Sequence, residues 1–301
     1  MIAYFTAVLH QPRRIVQDCF QTVFGTTLAL GSTQNLLAQT SQALAPIDEA
    51  LKDALPQQPV INADESGWYW RWVWVFVTSG FMYFHIACSR GSAVLQTVLG
   101  QIYKGILCVD RWGAYTKYHK GLIQLCWAHL KRDIRAIKEM GISLSSQQAC
   151  AFARRMEYRR KEFMKLWYRY KTGEINRKRL IYLSKPIRLG LEKCLHHYCD
   201  SPDRSVRSLA RRLYKLRSHL FTFIFHEGVE PTNNSAERTI RVAVMWRKIC
   251  FGNKTDARAI VSARLLTVTR TCWLQKRNAL EFLVEAITAY RKGTPAPLLS
   301  A

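Results

Sequence analysis

Acidic side chains are scarce in this chain. Asp and Glu number 21 among 301 residues, against 45 Lys and Arg, which leaves a formal charge of +24. Such an excess on a folded protein points to a polyanionic partner, most often nucleic acid. Disorder is excluded as the source of the charge, because 49% of the residues are hydrophobic and 12% aromatic. Nine cysteines, an odd number, lack the spacing of a disulfide framework, so a reduced compartment is expected. The opening MIAYFTAVLHQPRR lacks the basic-then-apolar order and cleavage site of a signal peptide. A long uncharged run does occur from Trp72 to Ser89, but Thr78-Ser79-Gly80 interrupts it. Both halves are β-branched and aromatic, so two strands and a turn are expected rather than a membrane span. No internal repeat or low-complexity run is present, and the protein reads as soluble.

The charge is unevenly spread. Residues 1–60 hold 3 basic and 4 acidic side chains, residues 61–129 hold 6 and 3, residues 130–230 hold 24 and 10, and residues 231–301 hold 12 and 4. Four structural zones and a tail (293–301) accompany this gradient. Residues 1–58 read as a helical lead-in: one segment over Ile15–Val23 ended by Phe24-Gly25, and a second capped by Ser32 or Thr33 and running to about Leu55. A helix-turn-helix and a helical hairpin packed on the main domain both fit, but the near-neutral charge favours the hairpin. Pro56 and Pro59 form a hinge. Residues 59–129 read as β-rich. A first strand from Val60 ends at Asp64, Gly67 turns, and Trp68 to Val77 alternates as a central strand with apolar residues on both faces. Phe81–Ala87 makes a third strand. A helix (about Ser92–Tyr103), a strand over Gly105–Val109 ending at Asp110, and a fifth strand over Leu122–Trp127 follow. That order suits an α/β ribonuclease-H-like fold with a mixed sheet. Residues 130–230 read as an all-helical, basic insertion. Residues 231–292 bring one helix opened by Pro231-Thr232-Asn233-Asn234 and two more at about 257–274 and 278–291.

Few carboxylates compete for a catalytic role. Asp64 and Asp110 each follow an apolar run and would stand side by side if the first and fourth strands are neighbours. A divalent cation would relieve their repulsion. Each could also be a turn or cap residue. Glu237 is the third candidate, set one turn into a helix, although Asn234-Ser235-Ala236-Glu237 also spaces as a capping box. Three oxygen ligands suit Mg²⁺, and two such ions can clamp the attacking and leaving oxygens at a phosphodiester. Cys126-x2-His129 reads either as support for that site or as a buried strand Cys with a loop His, since two ligands make no zinc site. Cys194-x4-Cys199, enclosing His196 and His197, reads as a structural helix end. The basic runs Arg154-Arg155 and Arg159-Arg160-Lys161, with Trp167, Tyr168 and Tyr170 interleaved, read as a DNA-binding face. The solvated face usual for charge runs is the alternative.

The stretches ADESGW, CVDRWGAY, LCWAHLKRD and EGVEPTNNSAERTIRVAVMWRKICFG resemble the signature blocks of insertion sequence 66 family transposases. LLTVTRTCWLQKRNALEFL and QPRRIVQDCFQTVFGTTLALGSTQNL resemble the helical segments after and before them. The resemblance implies a bacterial DDE transposase on a ribonuclease-H-like core, with Asp64, Asp110 and Glu237 as its metal triad and two Mg²⁺ ions that Mn²⁺ can replace. It further implies cleavage of transposon ends to leave a 3′-hydroxyl that attacks target DNA. His129, Cys126 and Asn234 would support the site, while Lys131, Arg132, Arg154, Arg155, Arg159, Arg160, Arg238, Arg241, Arg247 and Lys248 would hold DNA. A homo-oligomeric synaptic complex, accessory proteins of the element and a nucleoid-associated cytoplasmic location are implied as well. Two departures matter. The family's usual N-terminal region with coiled-coil and zinc-finger-like parts does not precede the lead-in, and Thr255-Asp256-Ala257-Arg258 replaces the usual Gly-Ser-rich stretch. An inactive, truncated remnant acting as a DNA-binding or inhibitory protein is therefore an alternative. A ribonuclease-H-like nuclease fits the triad but not the family blocks.

Overall fold

The computed structural model describes residues 1–299, so the last two residues of the 293–301 tail lie outside the described residues. Four helices lead in: α1 (Ile2–Ala7), α2 (Arg13–Phe24), α3 (Leu30–Ala43) and α4 (Ala45–Ala54). The β-rich zone follows as β1 (Val60–Gly67), β2 (Trp72–Val77), β3 (Met82–Ala87), α5 (Ser92–Leu99), β4 (Ile106–Val109), α6 (Gly113–Tyr118) and β5 (Ile123–Leu125). Next come α7 (Trp127–Ser143), α8 (Gln147–Lys171), α9 (Arg177–His197), α10 (Arg204–Lys215) and α11 (Thr222–Phe225). The chain then closes with α12 (Asn234–Cys250), α13 (Asp256–Leu274) and α14 (Ala279–Lys292). The five strands form a mixed sheet in the order β3-β2-β1-β4-β5. No helix among the described residues is long and apolar enough to cross a membrane.

Two compact units make up the chain. The first comprises Met1–Leu107, Trp112–Gly121 and the chain from Asn234 on. Its β1 and β2 pair antiparallel with Asp64 opposite Val75 and Glu65 opposite Trp74, and β2 pairs antiparallel with β3. Because side chains alternate along a strand, Asp64, Val75 and Phe84 share one face, and Glu65, Trp74 and His85 share the other. Helix α12 lies on the Asp64 face, where Thr239 Oγ1 meets the Met82 sulfur at 3.7 Å. Helix α6 covers the opposite face through the ring contact of Tyr115 with Trp74. The exposed edge of β3 would invite foreign strands. Threonines of α13 close it: Met82 N–H donates to Thr271 Oγ1 at 3.1 Å and Phe84 N–H to Thr267 Oγ1 at 3.0 Å.

The lead-in is built differently from its sequence expectation in two places. Helix α3 starts at Leu30 behind Ala29, so neither Ser32 nor Thr33 caps it, and the run to Leu55 breaks at Leu44 into α3 and α4. Gly25 does end α2, in the left-handed conformation (φ 63°). Helix α3 packs on α13 and α14. The Asp48 carboxylate of α4 faces Arg264 at 3.7 Å and, pushed up by burial, has a pKa of about 6.

The first strand is longer than expected and the second shorter. Asp64 sits in the middle of β1, which continues to Gly67, and the turn falls at Tyr69-Trp70. Trp68 and Trp70 are therefore not strand residues. Gly67 pairs with Trp72, and Trp68 N–H donates to Arg71 O at 2.7 Å, which closes a two-residue loop. Both loop residues have positive φ, 40° at Tyr69 and 59° at Trp70. That is the pattern of a type I′ turn, normally filled by Asn-Gly because side chains crowd the backbone there. The fifth strand is also trimmed, to Ile123–Leu125, and the helix after β3 ends at Leu99 rather than Tyr103.

The second unit comprises Cys108–Arg111 and Leu122–Asn233. Three of its helices begin where side chains satisfy the first free N–H groups. Ser146 caps α8, Asn176 caps α9 and Asp203 caps α10. The core is aromatic. Phe163 stacks on Phe221 with ring centroids 5.2 Å apart, Trp167 meets Phe223 at 5.0 Å, and Trp127 donates from Nε1 to Leu220 O at 2.7 Å.

Two outcomes follow for stability. The double substitution Tyr69→Asn/Trp70→Gly should raise the unfolding free energy by about 1–3 kcal/mol in urea titrations; a loss would show that the turn is not strained. With its folded pKa raised, Asp48 keeps its proton in the native state between roughly pH 4 and 6, so the native state loses stability as pH rises through that window. Asp48→Asn should flatten that slope, and an unchanged slope would assign it elsewhere.

Candidate active site and nucleic-acid interface

Adjacent carboxylates on β1 have opposite fates. Asp64 is half-buried on the α12 face and accepts from Glu65 N–H at 3.0 Å. Glu65 points through the sheet and is 8% exposed. Its Oε1 meets Arg90 Nη2 at 2.7 Å, and its other oxygen accepts from the Tyr115 hydroxyl. The Arg90 guanidinium is held over the rings of Trp112 (4.2 Å) and Trp72 (4.9 Å). Glu65 is thus neutralised by a fixed cation and built into the packing. Sequence reasoning passed over this pair, although the period of two that puts Asp64 on one face necessarily puts Glu65 on the other.

Glu237 lies in the first turn of α12, half-buried. The helix starts at Asn234, so Asn233 precedes it and Glu237 stands one position beyond the capping-box place. Asn234 is exposed. In the first unit, then, Glu237 and Asp64 belong to packed elements on the same side of the sheet. Arg238, Arg241 and Lys248 form an exposed row along α12. Arg247 is partly buried instead and donates to Gly67 O.

In the second unit, Asp110 is half-buried and immediately follows β4. The next residue, Arg111, is salt-bridged to Asp133 of α7. Cys126 is buried between β5 and α7, and its sulfur accepts from Asn233 N–H at 3.1 Å. Trp127 N–H donates to Pro231 O at 2.9 Å. These two bonds pin residues 231–233, the approach to α12. His129 is in the first turn of α7, half-buried, and not in a loop. Lys131 and Arg132 are exposed on the same helix.

The basic helices divide. Arg154, Arg155 and Arg159 line a groove of about 580 Å³ between α8 and α9, with Lys193 and His197 across it. Gly190 makes room for it, since a Cβ there would stand 2.7 Å from the Arg159 guanidinium carbon. Arg160 is not part of the groove; it grips Glu157 through two bonds of 2.7 and 2.6 Å. Trp167 is a core residue and Tyr170 accepts from Arg177 at 2.7 Å, so of the three interleaved aromatics only Tyr168 is exposed. His196 packs on Tyr214 and His197 on Tyr198, while burial pushes the Cys194 thiol up. These contacts give that segment a packing role.

The family model described as Transposase IS66 family matches residues 1–260. The chain belongs to the IS66 family of transposases. The match covers Asp64, Asp110 and Glu237 and ends within α13, so the expected likeness of residues 265–283 to the family lies beyond it. A transposase role and the DNA binding it entails follow from membership. Among curated proteins none matches the chain. The replaced stretch after Gly252 has a local function here: Thr255 caps α13 and Asp256 pairs with Arg71 at 2.6 Å.

The two β1 carboxylates should separate cleanly in denaturant titrations. Glu65→Gln strips a buried pair of its anion and should cost about 3 kcal/mol, whereas Asp64→Asn should change stability by less than about 1 kcal/mol. Equal effects would mean that both are structural.

Proposed function

We propose that this transposase cleaves phosphodiesters at the ends of a mobile element and transfers the new 3′ ends to target DNA. Asp64, Asp110 and Glu237 serve as its metal-binding carboxylates. The observation that carries this reading is that α12, the helix of Glu237, packs on the face of the sheet that bears Asp64, while Glu65 is committed to Arg90 on the other. Supporting it, β1 and β4 are neighbours in the sheet, and Asp110 directly follows β4. The order β3-β2-β1-β4-β5, with an antiparallel meander first, also favours a ribonuclease-H-like core carrying a helical insertion.

The donor set fits Mg²⁺, with Mn²⁺ as a substitute: three half-buried carboxylates offer hard oxygens reachable from solvent. Two ions bound there would neutralise charge on the phosphodiester oxygens that attack and leave. The chain's own part is positioning and charge. The carboxylates fix the reacting centre on a stiff sheet and a helix end. The row Arg238, Arg241 and Lys248 takes phosphates, with Arg247 holding the β1 end in place. Cys126, too soft for Mg²⁺, positions residues 231–233, and His129 and Asn234 support the site from the first turns of α7 and α12. Lys131, Arg132, Arg154, Arg155 and Arg159 hold the DNA backbone, without base reading. Synapsis of two ends calls for a homo-oligomer, joined by accessory proteins of the element in the bacterial nucleoid.

Asp110→Asn should abolish Mg²⁺-dependent cleavage of terminal-repeat DNA and leave duplex affinity unchanged. Undiminished cleavage would overturn the triad.

A further inference from the structure

The hairpin tip between β1 and β2 has no part in the function just proposed, yet it is the most conspicuous strained surface of the first unit. We infer that Tyr69, Trp70 and Phe251 form a stacking platform for an unpaired nucleobase, with Lys248 beside it holding a flanking phosphate. The inference rests on the DNA-acting reading above and adds a ligand site to it.

Six non-glycine residues have positive φ among the described residues, and three of them are these aromatics. Bulky side chains avoid that region, and where they occupy it something nearby compels them. The base of the tip is clamped. Trp68 is fully buried and donates from Nε1 to Asn253 Oδ1 at 2.9 Å. Arg71 binds Asp256 at 2.6 Å and Lys254 O at 3.3 Å. Arg247 holds Gly67 O. The loop after α12 passes so close that a Cβ on Gly252 (φ 69°) would stand 2.5 Å from that of Tyr69. A rigid base thus presents its rings outward: Trp70 is 80% exposed, Phe251 68% and Tyr69 50%. Tyr69 and Phe251 meet edge to face at 6.4 Å.

The chemistry of the lining selects the occupant. The open cavity of about 760 Å³ is lined, apart from Gly67, by aromatic and cationic side chains alone, with no aliphatic one. An apolar helix of a protein partner would seek aliphatic surface. A flat heterocycle attached to a phosphate matches rings flanked by Arg and Lys. Bases inside a duplex are already stacked and cannot reach the platform, so the ligand is an overhanging or extruded base.

The test uses the full chain in EDTA, which keeps the DNA intact, and reads fluorescence anisotropy with three probes. These are a blunt duplex, the same duplex with a short single-stranded overhang, and that overhang made abasic. The wild type should prefer the normal overhang to the abasic one by about 5- to 150-fold, the range expected for one stacked base. Tyr69→Asn/Trp70→Gly should bring that ratio within twofold of unity with blunt-duplex affinity unchanged, and Trp70→Phe should retain most of it. A thermal melt of the double variant at or above the wild-type midpoint excludes misfolding as the cause. A wild type indifferent to the abasic change, or a double variant that keeps the preference, would overturn the platform while leaving the DNA reading standing. Absence of binding to all three probes would overturn both.

Discussion

The alternation of side chains along β1 is the constraint on which the rest of the first unit depends. One residue's slip in register would exchange Asp64 and Glu65, putting a carboxylate with a fixed arginine partner where α12 packs. The Glu65–Arg90 pair, enclosed by Tyr115, Trp72 and Trp112, opposes that slip because the uncompensated alternative would bury a bare charge. One acidic residue is given to the architecture, and its neighbour is thereby held on the opposite face.

The scarcity of acid has a related consequence. Many of the few carboxylates neutralise specific arginines inside the helical part: Glu157 with Arg160, Glu192 with Arg217, Asp200 with Arg211, Glu174 with Arg169. The 45 Lys and Arg therefore overstate the cations available to a phosphate backbone, whereas the net charge of +24 already subtracts such pairs. What remains for DNA is more localised than composition suggests. The exposed cations proposed for DNA are the row on α12, the start of α7 and the groove between α8 and α9.

Much of the architecture was legible from the residues. The five strands, their order along the chain, the all-helical basic zone and the last three helices follow from period-two and period-3.6 patterns. Periodicity says little about ends. Trp68 to Arg71 continues the alternation of β2 in sequence, yet long-range contacts with Asn253, Asp256 and Lys254 bend it into a turn. Trp167 and Tyr170 read as ligands for DNA because aromatics among arginines carry no mark of burial. Their true partners, Phe223 and Arg177, come from other helices. Arg247 misled for the same reason, since its acceptor lies on a strand end, whereas the partner of Arg160, Glu157, stands one turn back on its own helix and was simply passed over. Candidate carboxylates were easy to single out because so few exist, yet the buried Glu65 was passed over among them.

The central claim is that Asp64, Asp110 and Glu237 converge on a divalent cation while Glu65 does not. Replacing Mg²⁺ by Fe²⁺ with ascorbate and peroxide cuts a protein backbone close to the bound ion, and mapping the fragments reads the site without any DNA. The account predicts cuts around residues 64, 110 and 237 that excess Mg²⁺ suppresses and that Glu65→Gln leaves in place. Suppressible cuts confined to other segments, or none at all, would contradict it.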